Sequence, residues 1–422
     1  MRKIFNFPKK IWAYLKKKLF VLFYFIAALV EYWFAPMGAR GGIRSRLREL
    51  PAESDQEGVN QPRKIALFVG FTPRLTLSNK AYIKTLRAAG FALVYLSNCP
   101  LDASARQDIG NLAWRLFERH NLGRDVGAYR DGVLWLEQQG LLTGCEILLI
   151  ANDSMQFLPG GYADALVQAL QDFESSSDVG LFSHISQSHD AHYQSYFQAL
   201  KRPIFSSRLF LDFWRNYLPL SHRGHCIFKG EIALSAQVYR KFHNVRVLYT
   251  SEALQATLEN LQSQHGDISA GEILRLMPSP ARTVQRRKVG YCLDQILQQS
   301  TSRETLAGWQ LYCLADVIEN NNPSHVAAFL YPIYLHCPLV KQDLCVAGSF
   351  TIAQALSLFR EALTASAQSS KEEIDVEAHV KEFSKLLYAK GTPLSYISKA
   401  QESALKGITG GFVYSATYDG NL

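Results

Sequence analysis

The chain has no phosphate-binding P-loop, no Gly-x-Ser-x-Gly nucleophile elbow and no Asp-x-Asp-x-Thr-like motif. None of its histidines pairs at i, i+4 around a carboxylate in the metalloprotease manner. These gaps set P-loop hydrolysis, α/β-hydrolase chemistry, phosphotransfer and zinc proteolysis behind other readings. It has seven cysteines, an odd number without Cys-x-x-Cys or zinc-like spacing, so they read as reduced thiols packed as small apolar groups. There is no internal repeat and no long low-complexity tract. Outside its first 48 residues it also lacks an excess of either charge. The formal net charge is +8, but residues 1–48 hold 11 Lys/Arg against one acid, Glu31, and the rest of the chain holds 34 basic and 36 acidic residues. A basic globular face is therefore not implied, and nucleic acid is not an expected partner.

What is present begins with an apolar run at 19–30, with lysines before it and arginines after it. It has twelve uninterrupted apolar residues, and 17 residues if counted past Glu31 through Ala35. A bilayer crossing takes about 20. Positive flanks, Tyr32, Trp33 and Phe34 near one end and a single acid fit a helix lying in an anionic leaflet. The alternative is a core helix packed on the rest of the protein. Glu31 and the aromatics occupy the place where a cleaved signal would carry small residues. The expectation is peripheral or monotopic association with an anionic membrane surface.

With 422 residues and 48% hydrophobic content, the chain can bury one large or two ordinary cores. Residues 1–39 form the membrane-associating segment. Residues 40–62, polar and carrying Gly41-Gly42 and two prolines, read as a linker. From 63 to 350, short branched apolar runs alternate with amphipathic stretches, which indicates an α/β domain with a mostly parallel sheet flanked by helices. The strand expectations are 65–69, 92–96, 147–151, 179–183 and 245–249. The helix expectations are 78–89, 104–119, 126–139, 161–173, 192–200, 207–217 and 231–242. Residues 351–422 read as a helical extension, with helices near 376–389 and 395–405 and a flexible end.

Three features carry chemistry. Asp153 ends the apolar run 146–151 within Asn152-Asp153-Ser154. A carboxylate at a strand end suits a ligand charge or a hard cation in the crevice of an open α/β sheet; ordinary turn capping is the competing reading. Asn121, Gly123, Arg124, Asp125 and Gly127 precede it. There the glycines allow close backbone approach, helix amides can face an anion, and Arg124 offers a charged fork. Asp125 also suits an N-cap. Glu231 stands at a loop-to-helix junction as a candidate base, or as a first-turn glutamate favouring the helix dipole. The aromatic set Tyr193, Tyr196, Phe197, Phe205, Phe210, Phe213, Trp214 and Tyr217 has helical spacing and reads as core rather than as a sugar platform.

The ordered strings RHNLGRDVGAYRDG, EILLIANDSM, HYQSYFQAL, FLDFWRNY and KGEIALS resemble the rhamnan synthesis protein F family, glycosyltransferase-like proteins of bacterial surface polysaccharide assembly. The likeness covers about 64–251. The stretch from Asn322-Pro323-Ser324 to Pro338-Leu339-Val340-Lys341 resembles a segment that closes such transferases, with Leu339 in place of phenylalanine. The resemblance implies a GT-A-type fold and a nucleotide-sugar donor, with rhamnose or another deoxysugar suggested by the family name. It also implies a glycan or lipid-linked glycan acceptor at the cytoplasmic face of the bacterial inner membrane. By the same analogy, Asn121, Gly123, Arg124, Asp125, Gly127, Asn152, Asp153 and Ser154 face the donor. Asp153 reaches Mg2+ or Mn2+, Glu231 is the base of an inverting displacement, and His192, Gln194 and Lys341 are acceptor-side or phosphate candidates. The first acid of the usual Asp-x-Asp is Ala151 here, which motivates the alternative of a non-catalytic assembly scaffold.

Overall fold

Every residue of the strand Lys64–Gly70 (β2) after Lys64 is buried, as a strand covered on both faces requires. Its side chains alternate between two cores: Ile65, Leu67 and Val69 enter one, Ala66 and Phe68 the other. The same period of two places Leu93 and Tyr95, then Leu149 and Ala151, in the second core. In this computed structural model the described residues are 46–52, 61–187, 190–265, 270–278, 308–346 and 350–390, with parts of 19–34. The helix expected near 395–405 and the last sixteen residues lie outside them.

The main sheet has eight strands. In chain order these are β1 (Leu47–Leu50), β2, β3 (Ala92–Ser97), β4 (Arg115–Arg119), β5 (Ile147–Asn152), β7 (Gly180–Phe182), β10 (Phe197–Lys201) and β11 (Val245–Val247). Two ribbons accompany it: β6 (Met155–Phe157) with β12 (Leu339–Lys341), and β8 (Ile185–Ser186) with β9 (His192–Tyr193). The sheet order is β1-β4-β3-β2-β5-β10-β7-β11. The four strands β4, β3, β2 and β5 are parallel, β10 is antiparallel to both β5 and β7, and β1 is antiparallel to β4. Strand order reverses at β2 and β5, so their carboxyl ends open on a switch-point crevice, where open sheets hold ligands.

All five expected strands are present within a residue or two at either end. Three expectations need correction. The stretch 104–119 is not one helix: helix Ala103–Gly110 ends, and β4 follows with Leu116 and Phe117 on opposite faces of the sheet. The stretch 192–200 is not a helix but β9, a turn and then β10, in which Phe197 and Ala199 enter one core and Leu200 the other. Burying each such large apolar side chain contributes roughly 1.5–3 kcal/mol, which outweighs local helical spacing. In place of one helix over 231–242 there is a π-helical turn Cys226–Ile232, an α-helix Ala233–Gln237 and a short 3₁₀ turn Tyr239–Lys241. The edge strand β1 lies inside the stretch read as linker. Of the aromatic set, Tyr196, Phe197, Phe205, Phe210, Trp214 and Tyr217 are buried.

Helices Ile352–Gln368 and Val376–Lys390 pack into the same core as Ala66 and Phe68, with the rings of Phe359 and Phe383 4.6 Å apart. The Glu382 carboxylate accepts the amides of Leu77 (2.7 Å) and Ser78 (3.1 Å). It thereby complements the free donors that open helix Leu77–Ala88. Among the described residues no helix is long and apolar enough to cross a membrane.

Candidate active site

The floor of the crevice is the end of β5. The Asp153 amide donates to Val69 O (3.0 Å), and its Oδ2 accepts the Phe71 amide (2.7 Å) from the loop after β2. Asn152 is buried and divides its side chain: Oδ1 accepts the Ser154 amide, while Nδ2 donates to Asp125 Oδ2 at 3.0 Å. Two segments, residues 69–71 and the helix start at Asp125, thus converge on Asn152-Asp153-Ser154. Burial pushes the Asp153 carboxyl up to about 6, with the Phe71 amide and Lys390 opposing the shift and Asp125 adding to it.

One wall is the turn from β4 into helix Arg124–Gln138. The Arg119 guanidinium is buried and tied to Asp131 (3.0 Å), Asn98 and Leu122 O (2.7 Å), which fixes the turn from below. Gly123 has φ +76°, and a Cβ there would meet Pro219 at 2.6 Å. At Gly127 a Cβ would lie 2.2 Å from Leu122 O. Close approach at these glycines is therefore made by protein, and the Gly123 amide donates to Ser221 Oγ (3.2 Å). Asn121 accepts from Ser221 Oγ through its backbone carbonyl (3.4 Å), and its buried Oδ1 has no hydrogen-bond partner among the described residues. Arg124 has φ +56°, a backbone conformation unfavourable for a long side chain. Its guanidinium makes no hydrogen bond or ion pair with the described residues. Asp125 does not cap the helix, since Gly123 holds that position. Instead Asp125 accepts its neighbour's amide through Oδ1 and turns Oδ2 to Asn152.

A second segment, packed against this wall, carries Glu231. It lies within the π-helical turn rather than at the start of an α-helix, so a first-turn dipole role does not apply; π turns recur at functional sites. Gly230 lets this turn lie against helix Arg124–Gln138, because a Cβ would meet Val126 at 2.9 Å. Ser195 Oγ donates to Glu231 Oε1 at 2.5 Å, and the Ser195 carbonyl accepts the Tyr129 hydroxyl (3.0 Å). Burial pushes Glu231 up to about 7; the Ser195 hydroxyl, Lys341 and Arg223 hold it back, while Asp125 raises it further.

The rim is basic. Lys341 pairs with Met155 across the β12–β6 ribbon, and its Nζ lies 5.1 Å above the Tyr196 ring. Arg223 and His325 approach Asp343 at 3.7 and 3.3 Å. Burial alone would raise Asp343, but Lys341, His325 and Arg223 outweigh it and hold the carboxyl far below the usual range. His184 is buried, and burial together with Lys341 lowers it to about 3, so it is neutral.

Asp125 links the two carboxylates: it is hydrogen bonded to Asn152 beside Asp153 and interacts electrostatically with both Asp153 and Glu231, and Lys341 acts on Glu231 as well, while Asn121, Gly123 and Gly127 belong to the adjoining turn. His192 and Gln194 are buried and hydrogen bond to each other (Nε2 to Nε2, 3.1 Å), and it is the next residue, Ser195, that reaches Glu231. Tyr129, Ser195, Arg223, His325, Asp343 and Lys390 were not anticipated. Tyr129 and Ser195 lie inside the quoted strings RHNLGRDVGAYRDG and HYQSYFQAL, His325 lies inside the stretch 322–341 and Asp343 just after it, whereas Arg223 and Lys390 had no such signal. Among the described residues no group of three or more His, Cys, Asp or Glu side chains could hold a metal ion by itself.

The chain is 27% identical over 204 residues to the uncharacterized protein y4gN of Sinorhizobium fredii (strain NBRC 101917 / NGR234), an alignment covering 47% of this chain and 51% of that one. The chain therefore spans about half the length of this curated relative. Residues 93–266, which contain the turn at Gly123, the β5 end, Ser195 and Glu231, match the family model of rhamnan synthesis protein F, the same family that the sequence motifs resemble.

Proposed function

We propose that the protein is a GT-A-type glycosyltransferase of surface-polysaccharide synthesis, moving rhamnose or another deoxysugar from a nucleotide-sugar donor to a growing glycan or lipopolysaccharide. The observation that carries this reading is the convergence of Asp153 and Glu231 on one switch-point crevice rimmed by Arg124, Arg223 and Lys341. The acceptor hydroxyl oxygen attacks the anomeric carbon, the bond from that carbon to the phosphate oxygen breaks, and its electron pair leaves with the nucleoside diphosphate. Glu231, with a carboxyl near neutrality, takes the hydroxyl proton. Ser195 fixes the carboxylate from its Oε1 side. Arg124, Arg223 and Lys341 offset the charge that develops on the departing diphosphate. A single displacement of this kind inverts the anomeric centre.

The Asp153 carboxylate keeps Oδ1 free of hydrogen bonds to the described residues. This fits Mg2+ or Mn2+ arriving with the diphosphate, since such cations take one or two carboxylates plus substrate oxygens. The cation would add charge neutralisation at the same phosphate oxygens.

On this reading the acceptor lies at the cytoplasmic face of the inner membrane, and the exposed apolar residues near the amino terminus support it. Phe23, Phe25, Ile26, Val30, Trp33 and Phe34 are exposed, within the segment flanked by basic residues. Phe25 lies 6.4 Å from the His225 ring and Tyr32 packs on Leu122, so the apolar segment adjoins both the turn before Gly123 and the start of the turn that carries Glu231. The alternative of a non-catalytic assembly scaffold rests on Ala151 standing where Asp-x-Asp sites carry their first acid.

The test is a thermal-shift screen of nucleotide sugars with and without magnesium or manganese, followed by mass spectrometry of the acceptor glycan. A binder raises the melting temperature and yields an acceptor heavier by one sugar. Stabilisation without transfer supports the scaffold, and no stabilisation by any nucleotide overturns the reading.

A further inference from the structure

We propose that Lys390, the last residue of helix Val376–Lys390, belongs to the donor site and holds the terminal phosphate of a nucleoside diphosphate beside Asp153. The proposal rests on the glycosyltransferase reading and deepens it, by making the C-terminal helix part of the site.

The geometry begins with Gln342. Its backbone amide donates to Ser154 O (3.4 Å) and its side-chain Nε2 to Met155 O (3.2 Å), which ties Gln342 to the two residues after Asp153. Lys390 Nζ donates to Gln342 Oε1 at 3.0 Å. The ammonium is therefore carried to the strand-end crevice from a helix remote in sequence. That helix is fixed by Phe383 and Leu387 in the core and by Glu382 on helix Leu77–Ala88, so the lysine is placed by a rigid element.

An ammonium has three donors, and among the described residues its hydrogen bond goes to a neutral amide oxygen. Drawing a charge out of water toward so weak a partner is unfavourable unless something anionic completes the set. Asp343 and Asp153 face it, but Asp343 is already held by Arg223 and His325, and Lys341 and Arg223 repel it. Burial, only partly offset by the two aspartates, lowers Lys390 to about 8. Lys390, Lys341 and Arg223 together form a cationic ring that a diphosphate suits and a nucleoside monophosphate leaves partly unmatched.

The experiment is calorimetric titration of the full chain with UDP, dTDP and GDP and with the matching monophosphates. For whichever base binds, Lys390→Met should weaken the diphosphate on the order of tenfold, as expected for a charge-assisted hydrogen bond. The monophosphate should change by less than about twofold, and Lys390→Arg should recover most of the loss. A merely structural lysine would weaken both nucleotides equally or neither, and either result overturns the proposal while leaving the glycosyltransferase reading intact. Should Lys390→Met fail to fold, acylation of Lys390 in the wild-type chain, read by mass spectrometry, replaces it. Protection by the diphosphate and not by the monophosphate supports the proposal; equal protection by both, or none, overturns it. A wild-type chain that binds no nucleotide overturns both readings.

Discussion

Two carboxylate environments, that of Asp131 and that of Asp153 and Glu231, differ in one respect, the supply of donors. Asp131, beneath the crevice wall, has no exposed surface, and every direction around it is filled. Its Oδ1 receives Arg46 (3.2 Å) and Arg130 (3.1 Å), and its Oδ2 receives Arg119 twice, at 3.0 and 3.2 Å. Asp153 and Glu231 are half-buried, the described residues give Asp153 the Phe71 amide and Glu231 the Ser195 hydroxyl, and desolvation raises both toward neutrality. The saturated site is scaffold: it holds the turn at 119–124 in place. The under-supplied sites are poised to exchange a proton or accept a cation.

The contrast can be broken most forcefully at Glu231. Glu231→Gln should lower turnover by about a thousandfold, within the range for loss of a general base, with folding intact by circular dichroism. Retention of ordinary turnover would assign the crevice no catalytic part.

Next is Asp131→Asn, which leaves three arginines around a neutral amide and should destabilise the protein by about 3–5 kcal/mol. Denaturant midpoints measure this. The folded fraction should bind nucleotide normally, and an unchanged midpoint would remove Asp131 as the keystone of the wall.

pH sharpens the same comparison. Transfer efficiency should rise with pH as Glu231 loses its proton near 7 and level off above that. Stability runs the other way. Because the folded carboxyl sits above its ordinary 4.5, its contribution is complete below that value and is lost as pH climbs to about 7. Glu231→Gln should therefore gain about 1–3 kcal/mol on the wild type between pH 5 and 8. Parallel stability curves would contradict the raised carboxyl.

Asp153→Asn should weaken nucleoside diphosphate binding about tenfold in magnesium, with little change in a chelator, by calorimetry. Equal loss in both would mean that Asp153 contacts the ligand without a cation.

The smallest effect is expected at the amino terminus. Replacing Phe25 and Trp33 by serine should reduce cosedimentation with anionic vesicles several-fold and leave transfer to a soluble acceptor unchanged. Undiminished vesicle binding would detach the apolar segment from the membrane.

Much of the scaffold was legible from local pattern. Continuous apolar runs announced β2, β3 and β5, and Asp153 was identifiable as the residue at the end of β5 because the run stops there. Thr76 and Asp102 cap helices that begin close to their expected starts, each through its own side-chain oxygen. Legibility failed where a partner strand or sheet face overrides local spacing. β4 carries Arg115, Glu118 and Arg119, and it is a strand because β3 and β1 pair with it from either side. The aromatic spacing of 192–200 is compatible with a helix, yet β5 and β7 together supply hydrogen bonds to both edges of β10.

The sequence by itself determined the alternation of strands and helices, the parallel core around β2 and the strand-end position of Asp153. These follow from hydrophobic period and capping, which act over a few residues. Only the tertiary structure decided that Glu231 would ride a π turn onto Ser195, that Lys341 would join the rim through the β12–β6 ribbon, and that Lys390 would stand beside Asp153. Burial and charge proximity depend on which distant segments pack together, and that packing is set by the whole core.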